Sequence, residues 1–230
     1  MRLPDFKVEQ WMNDYENDAI YNMTDTCVKS LTLQELLDLE DFDFSNLILD
    51  YGQITGDIEL KKEILSLYEH GTIDNITTAQ GCLQANELVM NTLLEKGDEV
   101  ISDIYENGIS TSSLSKMFSL AGLRLGWIKA NEYVIHQINV RRDYSMISTG
   151  PLVDKLGWIA LKHKDELILR AKNIISTNKN IVHEWLKDNP SFECVLPSGG
   201  TVCFLKYYYW QKKVFSLCQD RVLIKNIIFV

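Results

Sequence analysis

The strongest constraint on the fold is an alternation of strand-like and helix-like segments in the first half of the chain. Residues 73–78 are rich in β-branched residues and predict a strand. Gln80-Gly81 predicts a tight turn into a helix that ends at Gly97, and residues 98–101 begin another strand. This order of strand, glycine turn, helix and strand is typical of an α/β protein with a mostly parallel sheet flanked by helices.

The remaining patterns divide the chain into segments. A helix is predicted from about Asp57 to His70, and a long helical signal later in the chain ends at Asn189-Pro190, because a helix rarely continues up to a proline. Strand, turn and strand signals follow around Pro197-Ser-Gly-Gly200, which predicts a small α+β domain. We therefore expect an N-terminal arm and helix over residues 1–45 and a large domain over residues 46–150. A connecting helix over residues 151–188 and a small C-terminal domain over residues 189–230 should follow.

Composition and charge exclude several classes of protein. A net charge of −9 argues against general binding to nucleic acid or to a membrane surface, and no apolar run is long enough to span a bilayer. The first residues carry no apolar stretch of the signal-peptide type, so we expect a cytoplasmic protein. Five cysteines without a C-x-x-C pair indicate free thiols, and four scattered histidines indicate no metal site.

Residues 110–127 concentrate the groups that can bind a phosphate and form a covalent bond. Several serines, Ser113 among them, precede Lys116, and Arg124 follows it. A lysine amine is a good nucleophile toward an aldehyde when it is partly desolvated or lies near another cation. Hydroxyls and a guanidinium are natural phosphate ligands, so the stretch suggests pyridoxal 5′-phosphate (PLP), an aldehyde that bears a phosphate. The alternative is a solvated lysine in a serine-rich surface loop.

A second candidate anion site lies at Gln80-Gly81-Cys82. A glycine turn that enters a helix offers free backbone N–H groups and the positive end of the helix dipole. The alternative is an ordinary strand-to-helix turn, and the Cys82 side chain alone is more often a small buried group than a nucleophile.

The stretch Ser113-Leu-Ser-Lys116-Met-Phe-Ser-Leu-Ala-Gly-Leu-Arg124-Leu-Gly126 resembles the PLP-attachment signature of class I/II aminotransferases. Other motifs are similar to family features in the same order. Tyr51-x-x-x-x-Gly56 is similar to the start of the large domain, and Thr78-Ala-Gln-Gly81-Cys82 is similar to the phosphate-binding turn. Gly97-Asp-Glu-Val-Ile101 is similar to the strand after that turn, and Pro197-x-Gly199-Gly200 is similar to a turn of the small domain. The resemblance implies the PLP-dependent transferase fold type I, which is aspartate-aminotransferase-like.

The resemblance also implies roles for single residues and a reaction. Lys116 would hold PLP as a Schiff base and shuttle a proton during transfer of an amino group between an amino acid and a 2-oxo acid. Ser113, Arg124 and the backbone N–H groups of Gly81 and Cys82 would bind the phosphate.

The resemblance further implies a homodimer with active sites at the subunit interface. In such a dimer Tyr51 would reach the phosphate of the cofactor bound to the neighbouring subunit.

The sequence departs from the family pattern between the two motif-bearing halves. Only 14 residues separate Ile101 from Lys116, where the family has a long segment with the residues that contact the PLP ring. Asp103-Ile-Tyr105 lacks the family's Asp-x-x-Tyr spacing, and Arg221 lies in an unmatched tail. We therefore expect a truncated large domain with fewer strands and an uncovered apolar edge or face. The alternative functions are a C–S lyase and a catalytically impaired remnant that binds PLP weakly or serves only in interactions.

Overall fold

A computed structural model describes residues 4–20, 25–98, 108–207 and 227–228. The helices α1 to α7 span Lys7–Tyr15, Leu33–Leu37, Ile58–Leu65, Gly81–Leu93, Glu132–Arg142, Pro151–Lys162 and Lys164–Asp188. The strands β1 to β7 span Ile76–Ala79, Ser110–Ser113, Gly126–Lys129, Phe192–Glu193, Val202–Cys203, Lys206–Tyr207 and Ile227–Ile228. Short 3-10 helices occur at Phe44–Asn46, Ile73–Asn75 and Ala121–Leu123.

The main sheet has three strands in the order β1-β3-β2, and the central strand β3 is antiparallel to both neighbours. The prediction of a mostly parallel sheet is therefore wrong for the described residues. The outer strands β1 and β2 do run in the same direction, and α4 follows β1 as expected for a crossover. Between β2 and β3, however, the chain forms only the 3-10 helix Ala121–Leu123, so it turns back instead of crossing over.

Within the described residues this sheet has only three strands, in line with the expected shortened sheet, and the strand predicted to begin at residues 98–101 lies outside those residues from residue 99 onward. The expectation of an apolar edge is wrong at β2. This strand pairs with β3 alone among the described strands, yet it consists of three serines and one threonine and is half-buried. Its polar side chains oppose the association that an apolar sheet edge would promote.

Two helical predictions differ from the structure. Helix α3 begins as expected, because the Asp57 side chain accepts hydrogen bonds from the N–H groups of Glu59 and Leu60, but it ends at Leu65. The apolar residues after Leu65 still pack on the core from a turn, and this extends the helical pattern beyond the helix. Residues 151–188 form two helices, α6 and α7, which are separated at His163.

Helices cover both faces of the three-stranded sheet. Trp127 and Ile128 are neighbours on β3 and point to opposite faces, as successive residues of a strand do. Trp127 packs with residues of α3 and α6, whereas Ile128 packs with residues of α4 and α5. Each large apolar side chain buried in this way contributes about 1.5–3 kcal/mol.

The turn that follows β2 is held against α6 by close packing. Gly157 on α6 is buried, and a Cβ atom placed there would collide with the Leu125 side chain. Leu125 lies just before β3, and its carbonyl accepts a hydrogen bond from the Leu114 N–H at 3.1 Å. Glycine at position 157 therefore lets the helix approach the residues that flank Lys116.

The chain forms two compact units. One comprises residues 29–171 and contains the three-stranded sheet with α2 to α6. The other comprises residues 1–28 and 172–230 and contains α1 and two two-stranded antiparallel ladders, β4 with β6 and β5 with β7. None of the helices in the described ranges combines the length and the apolar character needed to span a membrane.

Candidate active site

Three strand termini meet at one end of the main sheet. Gly126, the first residue of β3, is paired with Ala79 at the end of β1 and with Ser113 at the end of β2. Gln80-Gly81 begins directly after β1, and Lys116 lies three residues after β2. Ligands of α/β proteins commonly bind outside the carboxyl ends of strands that run in the same direction, which is the place where these residues converge.

Gly126 is in backbone contact with the turn that begins α4. A Cβ atom placed on Gly126 would lie 2.5 Å from the carbonyl carbon of Gly81 and 2.8 Å from the backbone nitrogen of Cys82. No side chain fits in this space, so Gly126 is required for the close approach of β3 to the 81–82 peptide bond. The structure thus brings together the two candidate regions, whose contacting residues Gly81 and Gly126 lie 45 positions apart in the chain.

The first turn of α4 presents backbone donors without a capping side chain. Gln80 is the N-cap residue and its side chain makes no capping hydrogen bond, although its own N–H donates to Gln84 Oε1 at 2.7 Å. Gly81 has a φ of +78°, a left-handed conformation that glycine adopts without strain. Free N–H groups and the positive end of the helix dipole make this turn suitable for an anion.

Arg124 adds a full positive charge beside this turn. A Cβ atom on Gly81 would lie 2.9 Å from Nη2 of Arg124, so the guanidinium occupies the space that glycine leaves open. The other terminal nitrogen, Nη1, donates a hydrogen bond to the Ala121 carbonyl at 3.2 Å, and the Arg124 backbone has a left-handed φ of 52°. The guanidinium and the α4 N-terminus together suit a phosphate group.

Ser113 and Cys82 complete this end of the sheet. Ser113 is half-buried, and its Oγ accepts a hydrogen bond from the Ser115 N–H at 3.4 Å. The Cys82 thiol donates a hydrogen bond to the hydroxyl of Thr111 on β2 at 3.5 Å, so this side chain already has a partner. The contribution of Cys82 to an anion site is therefore its backbone N–H.

Lys116 is exposed, on a turn whose backbone is well anchored. The carbonyl of Lys116 accepts a hydrogen bond from the Ser119 N–H at 3.3 Å. Ser119 is buried in a left-handed conformation, its carbonyl accepts from the Leu31 N–H at 3.1 Å, and its hydroxyl accepts from Arg170 at 3.3 Å. These contacts fix the backbone that carries Lys116.

Tyr51 lies apart from the other candidates. Its side chain is 65% exposed, and no hydrogen bond or ring contact within the described residues joins it to them. The neighbouring Gly52 packs on α6, where a Cβ atom would lie 2.9 Å from the Pro151 ring. Three residues named above as departures from the aminotransferase pattern lie outside the described residues, namely Asp103, Tyr105 and Arg221.

A buried polar network on the far side of β1 has no counterpart among the motifs predicted from the sequence. Arg142 is fully buried. Its Nε donates to the Thr78 carbonyl at 3.0 Å and its Nη1 donates to the Ile147 carbonyl at 2.6 Å. Its Nη2 has no partner among the described residues, and burial lowers the pKa of Arg142. A signal was present, since Arg142 follows Ile135 and Ile138 at helical spacing on the buried face of α5.

Asp154 is the acidic member of this network. It is 2% exposed, accepts a hydrogen bond from the Asp57 N–H at 2.9 Å, and accepts another from the Thr149 hydroxyl. Burial raises the pKa of Asp154, and the opposing effect of the Arg142 charge is smaller. On the other side of Asp57, Lys61 is buried and donates to the Thr55 hydroxyl at 2.8 Å, and burial lowers its pKa.

The arrangement of these residues is that of a site for a phosphorylated aldehyde cofactor. An α/β sheet whose strand ends carry a capless helix N-terminus, an arginine and a hydroxyl fits the phosphate of a cofactor, and an adjacent lysine fits its aldehyde. The sequence matches the family profile described as aminotransferase class I and II over residues 104–221, about half of the chain. The chain belongs to this family, and PLP is the cofactor that members of the family use.

Two curated relatives illustrate the similarity. Capreomycidine synthase of Streptomyces vinaceus is 30% identical over 123 residues, which cover 53% of this chain and 31% of that protein. Histidinol-phosphate aminotransferase of Buchnera aphidicola subsp. Acyrthosiphon pisum (strain Tuc7) is 25% identical over 178 residues, which cover 75% of this chain and 45% of that protein. The chain thus spans between about a third and a half of the length of these relatives.

The fold is also that of a solved PLP-dependent aminotransferase. A structure from Streptococcus suis 89-1591 superimposes with a TM-score of 0.87 at 23% identity, covering 100% of this chain and 93% of that chain. The chain therefore has the fold of PLP-dependent fold type I enzymes, as expected from the sequence, with the three-stranded sheet described above.

Replacing Gly126 by alanine should separate β3 from the α4 turn. Because the added methyl group meets backbone atoms, the structure must shift, and we expect a loss of about 1–3 kcal/mol in the free energy of unfolding. Urea denaturation measures this quantity. Gly122→Ala is the matched control from the same stretch, since a Cβ there meets no atom within 4 Å, and it should change the free energy by less than about 0.5 kcal/mol. Equal effects of the two substitutions would contradict the close contact.

The buried Asp154 predicts a pH dependence of stability. Its pKa is raised in the folded state above the ordinary value of 3.8, so its protonated form favours folding, and this contribution is lost as the pH rises through the folded-state pKa. We expect the free energy of unfolding of the wild type to fall relative to that of Asp154→Asn as the pH increases above 3.8. Urea denaturation over a pH series measures the difference. The exposed Asp41→Asn provides the control, and a difference for Asp154→Asn that does not change with pH would disprove the prediction.

Proposed function

We propose that this chain is a PLP-dependent aminotransferase that transfers an amino group between an amino acid and a 2-oxo acid. The main support is the convergence of Arg124 and Gly126 on the capless N-terminus of α4, with Lys116 on the anchored turn beside it. One stretch of sequence thereby supplies both a phosphate site and an amine, which is the combination that PLP requires.

Each residue of the site has a distinct role in this proposal. The Arg124 guanidinium, the Ser113 hydroxyl and the N–H groups of Gly81 and Cys82 hold the phosphate. Lys116 would hold the aldehyde of the cofactor through its amine and would carry the proton that leaves the substrate α-carbon. PLP supplies the electron-withdrawing ring that makes this carbon acidic. The two relatives described above differ in activity, so the proposal concerns the reaction class rather than one amino acid.

A second candidate is a catalytically impaired remnant that binds PLP weakly or serves in interactions. The three-stranded sheet of the described residues favours this alternative, as does the short connection of residues 94–109 between α4 and β2. Such a connection has room for about one crossover and not for several further strands. The phosphate site depends on none of the missing strands, so this remnant would keep it.

Covalent binding of PLP to Lys116 tests the proposal directly. We expect purified protein with PLP to show a Schiff-base absorption band, and borohydride reduction followed by peptide mass spectrometry should locate the label on Lys116. Lys116→Ala should abolish the band and the label, because no other amine lies at this position. The exposed Lys62→Ala is the control and should keep both.

The response to substrates separates the two candidates. A band that shifts when amino acids are added, and returns when a 2-oxo acid is added, supports the aminotransferase. A Lys116-dependent band that responds to no amino acid supports the remnant. Absence of any band in the wild-type chain would reject both.

We further propose that the chain is a homodimer in which Tyr51 contacts the phosphate bound to the partner. The 65% exposure of Tyr51 on a segment packed against Pro151 supports this proposal, since the hydroxyl is available to a second subunit. Tyr51→Phe removes one hydrogen bond to a charged group and should weaken PLP binding about tenfold or more.

Dimer formation and PLP affinity are measured together. Sedimentation velocity gives the oligomeric state, and PLP titration above and below the dimer dissociation constant gives the affinity in each state. The effect of Tyr51→Phe should occur only in the dimer, whereas Tyr133→Phe, a similarly exposed tyrosine, should have none. A monomer at all concentrations would refute the dimer.

A further inference from the structure

We propose that Arg142 is a positioning residue that holds the phosphate-binding turn at Gly81 in place through the carbonyl of Thr78. In this role it determines the affinity for the phosphate group of a ligand, and not the affinity for the ring. The inference rests on the proposed PLP site, but it concerns a side chain that lies behind that site.

Arg142 connects three separate segments from inside the protein. It lies at the end of α5, donates from Nε to the Thr78 carbonyl at 3.0 Å, and donates from Nη1 to the Ile147 carbonyl at 2.6 Å. Thr78 is the residue before Ala79, and the turn at Gln80-Gly81 follows immediately. A displacement of the Thr78 carbonyl is therefore transmitted to the α4 N-terminus over two residues.

Thr78 is fixed from its other sides as well. Its N–H donates to the Thr55 carbonyl at 3.1 Å, its hydroxyl lies 3.2 Å from that of Thr149, and a Cβ atom on Gly56 would collide with its side chain. Thr149 in turn donates to the buried Asp154. Every polar atom of Thr78 thus has a partner, and Arg142 supplies the charged one.

The free-energy cost of burying Arg142 indicates that this side chain positions the backbone and does not serve mainly to stabilise the fold. A fully buried guanidinium has a high desolvation cost, and its Nη2 has no partner among the described residues. The charges that face it come from Asp154 on α6, from Lys61 on α3 and from Asp143 beside it. An apolar side chain would stabilise the interior at lower cost, but it could not bind two carbonyls and set the position of β1.

Comparing the binding of PLP with the binding of pyridoxal isolates the effect of Arg142 on the phosphate-binding turn. PLP and pyridoxal share the ring and the aldehyde that Lys116 attacks, and only PLP has the phosphate. A residue that acts through the Gly81 turn should change the binding of PLP and leave that of pyridoxal nearly unchanged. A residue that only stabilises the fold should change both in parallel.

The test measures the dissociation constants of PLP and pyridoxal for the wild type, Arg142→Gln, Arg142→Lys and the control Arg141→Gln. Arg141 is the exposed neighbour of Arg142 on the same helix. We expect Arg142→Gln to weaken PLP binding about tenfold or more and pyridoxal binding less than about threefold. Arg142→Lys should recover part of the PLP affinity, and Arg141→Gln should match the wild type.

Thermal unfolding of each variant accompanies the binding data. If Arg142→Gln does not fold, Arg142→Lys and Thr149→Val, which removes a hydroxyl contact to Thr78, provide the same comparison of ligands. Equal losses for PLP and pyridoxal in a folded variant would overturn the inference and leave the proposed function standing. A wild-type chain that binds neither ligand would overturn the proposed function and this inference with it.

Discussion

The contact between Gly126 and the Gly81–Cys82 peptide is the interaction on which the site depends. It joins the start of the central strand to the N-terminus of α4, with a Cβ position on Gly126 only 2.5 Å from the Gly81 carbonyl carbon. Because β3 is paired with both outer strands, this one contact sets the position of Ser113 and of Ala79 relative to the turn. Arg124, two residues before Gly126, is brought beside the turn by the same approach.

The features that could be predicted from the sequence are local ones. The helix start at Asp57 and the turn at Gly81 depend on residues within four positions of each other, and both occur in the structure. The spacing from Lys116 to Arg124 is equally local, and it indicates the region of the candidate site. Side-chain chemistry over a few residues determines such features, so a single sequence contains the information for them.

The features that escaped prediction depend on partners far apart in the chain. The hydrogen bond from Arg142 to Thr78 spans 64 positions and that from Asp57 to Asp154 spans 97. Neither the antiparallel insertion of β3 between β1 and β2 nor the break at His163 leaves a periodic signal. A charged residue in an apolar helical pattern marks such sites, but the pattern does not identify the buried group that it binds.

The shortened sheet separates phosphate binding from turnover. The end of β1, the end of β2 and the start of β3 carry every group that we propose for phosphate binding, so the proposed cradle needs only the three described strands. The groups behind it, from Arg142 to Asp154, also lie within this unit. Tight phosphate binding requires donors that are fixed in position, and these donors are fixed without further strands. Activation of the ring requires other contacts, so retention of the Lys116 region is evidence for cofactor binding first and for catalysis second.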